Sequence, residues 1–378
     1  MKGAIIRRGK KSWRLKYDLP RDPATGTRRI VYATVKGTKA DAEVELRRRL
    51  HALDRGVHVD PSALTVAGYL ESWVADVAPQ RVAPKALERY RGLIRYQIDP
   101  HLGAILLQKL RPADVANWHQ ALRREGRLST RSIRAAHGVL RTALAHAAAI
   151  ELVERNVAAL IRPPALARQA PAILTADQIA DTLARLAGHP FHTIAALALG
   201  TGARRGEIAA LTWADLDLDA AAVTIERALE ETRDGVRVKA PKTAAGRRTV
   251  SLPAFAVAAL RDHRTAVLEL RVRTGAGRLP PSAPVFADLE GEPLSPHLIT
   301  NRWRRAVRNR KLPAVSFHSL RHSHASALIA AGLDVVTVSR RLGHASPALT
   351  LSVYAHLFRN RDQEAAAAIH AAIDGSAR

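Results

Sequence analysis

Residues 318–324 read HSLRHSH, residues 342–344 read LGH, and residues 354–356 read YAH. His318 and Arg321 are three positions apart, a spacing that places both on the same side of a helix. Tyr354 follows His344 by ten positions. The three segments bring imidazole, guanidinium and phenol groups into the last fifth of the chain, and these groups act as acids, bases, anion ligands and nucleophiles.

Two upstream segments add further cationic residues. Residues 201–207 read TGARRGE and run into LTWADL at 211–216, while PKT at 241–243 precedes RRTV at 247–250. Each segment alone is a weak signal, because adjacent arginines or a turn lysine are usually solvated. The i,i+4 pair His318 and His322 also suggests a zinc pair, but it lacks the intervening glutamate of a metalloprotease. Tyr354 alone would be read as a half-buried core residue.

In this order the segments resemble the tyrosine recombinases, the phage integrase family. That family shows a TGxR box, a lysine on a β-hairpin, an HxxR box, an LGH box and a tyrosine soon after it. The resemblance implies a site-specific DNA recombinase that cleaves and rejoins DNA through a 3′-phosphotyrosine, without metal or ATP. It implies these catalytic residues: Arg204, Lys242, His318, Arg321, His344 and the nucleophile Tyr354. Lys239 is the alternative lysine, and the Pro-Lys-Thr context favours Lys242.

The chemistry of these side chains fits a phosphodiester exchange. Arg204 and Arg321 can each offer a phosphate two parallel hydrogen bonds. Lys242 is suited to protonate the leaving hydroxyl, His318 to accept or relay the tyrosine proton, and His344 to bind the phosphate. No acidic cluster is present to hold a metal ion, so neither a metal nor a cofactor is expected.

The remaining polar residues of these segments receive supporting roles. The resemblance implies a structural role for Glu207 and Asp215. Three histidines are interpreted as packing or supporting groups, and three arginines as contacts to the DNA backbone or as solvent-facing: His322, His324, His356, Arg205, Arg247 and Arg248.

Composition indicates an acidic partner. Lys and Arg number 59 against 34 Asp and Glu, which gives a net charge of +25. Nucleic acid is the commonest polyanion partner, although ribosomal-type proteins and high-GC genomes also produce such compositions. The chain has no cysteine, which excludes disulfide scaffolds, cysteine-ligated zinc and thiol catalysis. No signal-peptide core or apolar run of membrane length is present, so we expect a cytoplasmic protein without a membrane partner.

The predicted fold class is mainly α with small β elements, in three domains. Residues 1–57 predict a basic hairpin and a helix that begins after Thr38, and they resemble an arm-type DNA-binding domain. Residues 62–165 predict a helical domain that resembles the core-site-binding domain. Residues 172–378, which open with a capping box at Thr175 and Gln178, predict a mixed catalytic domain with strands near 222–225, 236–239 and 248–252.

The family further implies a tetramer on double-stranded DNA attachment sites, with accessory DNA-bending or excision-directing proteins as additional partners. The leading hypothesis is the integrase of a phage or integrative element. Two alternatives stay open at this point: a relaxing enzyme similar to type IB topoisomerases, and a non-catalytic DNA-binding regulator. Relaxation of plasmid without a recombination site would favour the former, and binding without a covalent adduct the latter.

Overall fold

The computed structural model divides the chain into two compact units, Met1–Ala167 and Arg168–Arg378. It describes residues 3–19, 26–54, 62–166, 172–240, 244–357 and 369–370. The predicted fold class, mainly α with small β elements, is confirmed. Among the described helices, none has both the length and the apolar character needed to cross a bilayer.

The first unit begins with a three-stranded antiparallel sheet in the order β1-β2-β3, followed by a helix. The elements are β1 (Gly3–Gly9), β2 (Ser12–Asp18), β3 (Ile30–Lys36) and α1 (Lys39–Asp54). Alternation along β2 turns Leu15 and Tyr17 towards α1, where they pack with Ala42 and Leu46. The predicted hairpin strands and helix are confirmed, whereas most of the predicted turn at 20–27 lies outside the described residues.

The rest of the first unit is a helical bundle around its own hydrophobic core. Its helices are α2 (Val66–Ser72), α3 (Pro84–Leu93), α4 (Asp99–Leu102), α5 (Pro112–Arg124) and α6 (Thr130–Ala149). The side chains of Thr65 and Ser129 cap α2 and α6 by accepting backbone N–H bonds. Trp73 and Trp118 lie at the centre of the core, at 2% exposure each. The apolar stripes from which these helices were predicted therefore pack together in one hydrophobic core.

The second unit is mixed, with helices around two small antiparallel sheets. Its helices are α7 (Ala176–Arg185), α8 (His192–Thr201), α9 (Arg205–Ala209), α10 (Ala254–Thr274), α11 (Pro296–Asn309), α12 (Phe317–Ala330), α13 (Val335–Leu342) and α14 (Pro347–Tyr354). Its strands are β4 (Leu216–Asp217), β5 (Ala222–Ile225), β6 (Ala228–Thr232), β7 (Gly235–Lys239) and β8 (Arg248–Ser251). The strands pair as β4-β5-β8 and as the hairpin β6-β7. All three predicted strands are confirmed.

Helix ends in the second unit follow the sequence signals. Thr175 and Gln178 form the predicted capping box of α7, and Pro347 begins the helix that ends at Tyr354, also as predicted. The predicted Ala-rich helix at 364–373 lies outside the described residues apart from 369–370. The domain boundaries 1–57, 62–165 and 172–378 stay predictions.

Candidate active site

The corner between α8 and α9 positions the first arginine of the site. Helix α8 ends at Gly202, whose φ of 66° is left-handed, and Arg204 then caps α9. The Arg204 backbone N–H donates to Glu207 Oε2 at 2.8 Å, and its Nη1 donates to Glu207 Oε1 at 2.7 Å. The capping box thus fixes an arginine whose side chain is still 42% exposed.

Glu207 is shared by two arginines. Arg248 of β8 donates from Nη2 to Glu207 Oε2 at 2.8 Å and from Nε to the Arg341 carbonyl at 2.8 Å. Burial works to raise the pKa of Glu207, but the bonds and charge of Arg248, with those of Arg204, outweigh it and lower that pKa. The interpretation of Arg248 as a DNA-backbone or solvent-facing residue is wrong, because its side chain is only 7% exposed and serves Glu207.

Arg321 lies in α12 with 4% exposure. Its Nη1 donates to the Gly202 carbonyl at 2.7 Å, while its buried Nη2 has no hydrogen-bond partner among the described residues. Burial, with the positive charge of Arg204, lowers its pKa to about 9, so it stays protonated at neutral pH. A buried N–H group without an acceptor is costly. The site therefore offers a place for an anion.

His344 follows the left-handed residue Gly343 that ends α13. The Gly343 carbonyl accepts a hydrogen bond from Arg204 Nη2 at 3.1 Å. This bond joins the start of α9 to the end of α13. His344 Nδ1 contacts Thr350 Oγ1 at 2.8 Å. Burial and the charges of nearby arginines lower the pKa of His344 to about 4, so its ring is neutral at pH 7.

Tyr354 ends α14 and is 2% exposed. Its hydroxyl lies 2.5 Å from Nδ1 of His322, one turn after His318 on α12. Burial raises the pKa of Tyr354 to about 12, and the charge of Arg321 offsets part of this effect. The rings of His318 and His322 meet edge to face at 4.8 Å. Burial, followed by the neighbouring His322 and Arg321, lowers the pKa of His318 to about 4.

Lys242 lies outside the described residues. The alternative lysine, Lys239, ends β7 and donates to Glu230 Oε1 at 2.9 Å across the β6-β7 hairpin. Arg237 binds the same carboxylate. Lys239 is therefore occupied by a structural ion pair.

The structure brings five of the six predicted residues of the site into one neighbourhood. Arg204 and Arg321 bind the glycine carbonyls at the ends of α13 and α8, and the charge of Arg321 influences His318, His344 and Tyr354. In the described ranges, no group of three His, Asp or Glu side chains could hold a metal ion. The arrangement places the phenol of Tyr354 within the electrostatic influence of Arg321, which in turn interacts with Arg204. A phenol near such cationic groups is suited to attack on a phosphate diester.

Sequence reasoning missed the position of His322. The available signal was its i,i+4 spacing from His318, which puts both rings on one helix face. Asp215, which was given a structural role, accepts bonds from the Thr212 backbone at 2.7 Å and from Arg227 at 2.6 Å.

Two family models and a characterised relative match this chain. The family described as "Phage integrase family" matches residues 167–361, and "Phage integrase, N-terminal SAM-like domain" matches residues 65–123. An integrase of Streptomyces ambofaciens is 30% identical over 86% of this chain and 85% of that protein.

Solved structures share the fold. The Tn1549 transposon integrase in complex with transposon right end DNA covers 82% of this chain and 100% of its own, with a TM-score of 0.69 at 20% identity. A lambda integrase tetramer bound to a Holliday junction covers 94% of this chain and 95% of its own, with a TM-score of 0.58 at 19% identity.

Proposed function

The chain belongs to the phage integrase family of tyrosine recombinases, and we propose that Tyr354 is the nucleophile with which it cleaves and rejoins DNA. The protein is a site-specific DNA recombinase of a phage or other mobile element. The observation that carries the assignment of the site is the buried Nη2 of Arg321, which has no hydrogen-bond partner among the described residues, in a guanidinium that interacts electrostatically with Arg204 and Tyr354. A phosphate seated there would supply the missing acceptor.

The proposed reaction is a direct exchange of esters. The Tyr354 oxygen attacks the phosphorus, the bond to the 5′-oxygen breaks, and a 3′-phosphotyrosine forms. Arg204 and Arg321 stabilise the extra charge of the pentacoordinate transition state. Lys242 gives its proton to the leaving 5′-oxygen, and His344 binds a non-bridging oxygen. Because the ester retains the bond energy, attack by a 5′-hydroxyl rejoins the strand without ATP.

The proposed partner is double-stranded DNA, on which the protein acts as a tetramer. The lambda integrase tetramer on a Holliday junction, which has the same fold, supports this assembly. The sheet of the first unit supports a DNA contact, because the face opposite α1 carries basic side chains and Tyr32. These basic residues are Arg14, Lys16 and Lys36.

We propose that residues 1–57 bind arm-type sites and that 62–165 bind core sites beside the catalytic domain at 172–378. Accessory DNA-bending or excision-directing proteins would act through the arm-type sites. Because the substrate is the host or element DNA, the proposed compartment is the cytoplasm.

The test is covalent trapping on a nicked substrate. Duplexes from the DNA that flanks the gene are nicked near the candidate cut site, and adducts are resolved on denaturing gels. The wild type should form an adduct, while Tyr354→Phe should bind the duplex with unchanged affinity and form none. Tyr96→Phe, at a tyrosine 59% exposed on the helical bundle, should behave as the wild type.

Three results would contradict the proposal. An adduct with Tyr354→Phe would exclude Tyr354 as nucleophile. Efficient relaxation of a plasmid without the site would indicate a topoisomerase-like enzyme. Binding of the attachment site by the wild type without any adduct would indicate a DNA-binding regulator.

A further inference from the structure

Helix α12 presents two histidines at the nucleophile, and they make different contacts. His322 Nδ1 lies 2.5 Å from the Tyr354 hydroxyl, at hydrogen-bond distance. His318 meets the edge of the His322 ring at 4.8 Å between centroids, and no hydrogen bond joins it to Tyr354 within the described part of the chain. Arg321, between them in sequence, points to the Gly202 carbonyl.

The buried phenol needs a base. With the pKa of Tyr354 raised to about 12 by burial, only about one molecule in 10^5 carries phenolate at pH 7. A neutral phenol is a poor nucleophile, so a group in contact with its oxygen must remove the proton as the bond to phosphorus forms.

We propose that His322 is the base that takes the Tyr354 proton, and that His318 positions its ring. This inference rests on the proposed function. The O–H bond of Tyr354 breaks and the proton passes to Nδ1 of His322, while the phenol oxygen bonds to phosphorus. The electron pair of the P–O5′ bond leaves with the 5′-oxygen, which is protonated separately by Lys242. Rejoining reverses each transfer, and the departing phenol oxygen recovers its proton from His322.

Because His322 lies near other cationic groups, the proposed proton transfer should be favourable only when DNA is bound. The ring faces His318 and Arg321 from α12 and Tyr354 from α14, and it influences His344, which follows α13. Burial and Arg321 lower the pKa of His322, which favours the neutral ring. In the tautomer with hydrogen on Nε2, its Nδ1 can accept the Tyr354 proton. An imidazolium beside Arg321 is unfavourable until an anion is present. The negative charge of a bound DNA phosphate compensates the new positive charge.

The first test compares His322→Asn with the matched variant His318→Asn. An asparagine amide can occupy the position of Nδ1 and bind the hydroxyl, but it cannot take up a proton. The readout is the first-order rate of adduct formation on the nicked attachment-site duplex between pH 5 and 9. Variants that match the wild type in circular dichroism and duplex binding are compared.

We expect His322→Asn to slow adduct formation by about 10^2- to 10^4-fold. The rate of His322→Asn should rise about tenfold per pH unit throughout, because hydroxide must then remove the proton. His318→Asn should also be slower than the wild type, because the His322 ring is less well positioned, but its rate should still level off with pH because His322 still takes the proton. A near-wild-type rate for His322→Asn, or loss of the plateau in His318→Asn alone, overturns the proposal.

A second test separates nucleophile activation from leaving-group protonation. In a duplex with sulfur in place of the bridging 5′-oxygen, the leaving thiolate needs no proton, because thiols are far more acidic than alcohols. Lys242→Ala should recover on this substrate, while His322→Asn should stay slow. If adduct formation by His322→Asn also recovered on this substrate, His322 would act in protonating the leaving group, and the proposal would be overturned. If the wild type forms no adduct on the oxygen duplex, the proposed function itself fails.

Discussion

Arg321 has an unusual environment for a charged side chain. A guanidinium normally occupies the surface, yet this one is 4% exposed and its Nη2 finds no acceptor in the part of the chain that the structure describes. Its pKa, lowered to about 9 by burial and by Arg204, still leaves it charged at neutral pH. Burial of such a group lowers the stability of the fold, and the proposed binding of a phosphate would account for its position.

Truncation of this arginine should abolish most of the cleavage activity. We expect Arg321→Ala to slow adduct formation by about 10^2- to 10^3-fold, the effect of losing one preorganised donor to the transition state, or roughly 3–4 kcal/mol. Arg321→Lys should recover little, because an ammonium group cannot offer two parallel donors. Arg185→Ala, at a surface arginine paired with Asp181, is the control and should leave the rate unchanged. Near-wild-type cleavage by Arg321→Ala would show that Arg321 does not take part in catalysis.

At this scale the sequence predicts residue types better than contacts. Motif order predicted that Arg204, Arg321 and Tyr354 share one site, because each stands in a short segment of fixed spacing. It could not assign the hydrogen bond of Tyr354, since His318 and His322 differ by one helical turn and the bond depends on how α14 packs. Arg248 was likewise taken for a surface residue, because its partner Glu207 is 41 positions away.

The ends of helices α8 and α13 supply the backbone acceptors of the site. Each helix ends in a left-handed glycine, Gly202 with φ of 66° and Gly343 with φ of 65°. Their carbonyls accept from Arg321 and Arg204 respectively. Helix C-termini carry partial negative charge, which favours a cationic partner. The two arginines are thus anchored by elements that are distant in the chain.

Gly343→Ala should impair both stability and cleavage. The left-handed backbone is strained for alanine by about 1–3 kcal/mol, and its Cβ would lie 2.7 Å from Arg248 Nη1 and 3.0 Å from the Ala245 carbonyl. Gly275→Ala is the matched control, because Gly275 has φ of 67° at the end of α10 and no atom within 4 Å of a new Cβ. Both variants should melt at lower temperature, but only Gly343→Ala should slow adduct formation. Equal adduct rates for the two would refute a role for this helix end.

We expect buried histidines to make the helical bundle sensitive to acid. His137 Nδ1 and His119 Nε2 are 3.2 Å apart, and His137 is 3% exposed. Burial, followed by the charge of His119, lowers the pKa of His137 from 6.5 to about 4. Between pH 6.5 and pH 4 the unfolded chain therefore binds more protons than the folded chain. The contribution of His137 to the free energy of unfolding is fully present above pH 6.5 and is lost as the pH falls towards 4.

The change in melting temperature between pH 7 and pH 5 measures this effect. His137→Gln, which cannot ionise, should show a smaller fall than the wild type, and the difference is worth up to roughly 3 kcal/mol at full protonation. His51→Gln, at an exposed histidine of α1, should reproduce the wild-type fall. An unchanged pH dependence in His137→Gln would show that this pair does not carry the acid sensitivity.

Most elements could be predicted from the sequence, with instructive exceptions. The capping box at Thr175 and the proline at 347 set helix starts because their effects are local. Strand β1 was not predicted, because its central residues IIRR lack alternation and the strand exists through pairing with β2. The catalytic lysine is a prediction still, since Lys242 falls outside the described residues.

At the scale of the whole molecule, the net charge of +25 favours binding to DNA of any sequence. Basic side chains occur on the sheet and α1 of the first unit and on α11 of the second. The arginines of α11 are Arg302, Arg304, Arg305 and Arg308. Each phosphate neutralised by such a residue releases counterions. Affinity for any duplex should therefore depend strongly on salt, independently of its sequence.

Binding to a non-cognate duplex should weaken by about 10^3-fold or more between 50 and 200 mM salt, as expected for six or more phosphate contacts. Fluorescence anisotropy of a labelled duplex measures this dependence. A cognate duplex should show a similar slope with higher affinity at every salt concentration. A flat salt dependence would contradict an electrostatic origin of the binding.

The burial of Tyr354, at 2% exposure, has a further consequence for the host. While a strand end is attached to the protein, hydrolysis of that ester would leave an unsealed chromosome. A side chain shielded from bulk solvent keeps water away from the labile bond and leaves it to the incoming hydroxyl. In the proposed reaction, the packing around α14 would therefore protect the ester from water while the DNA strand is open.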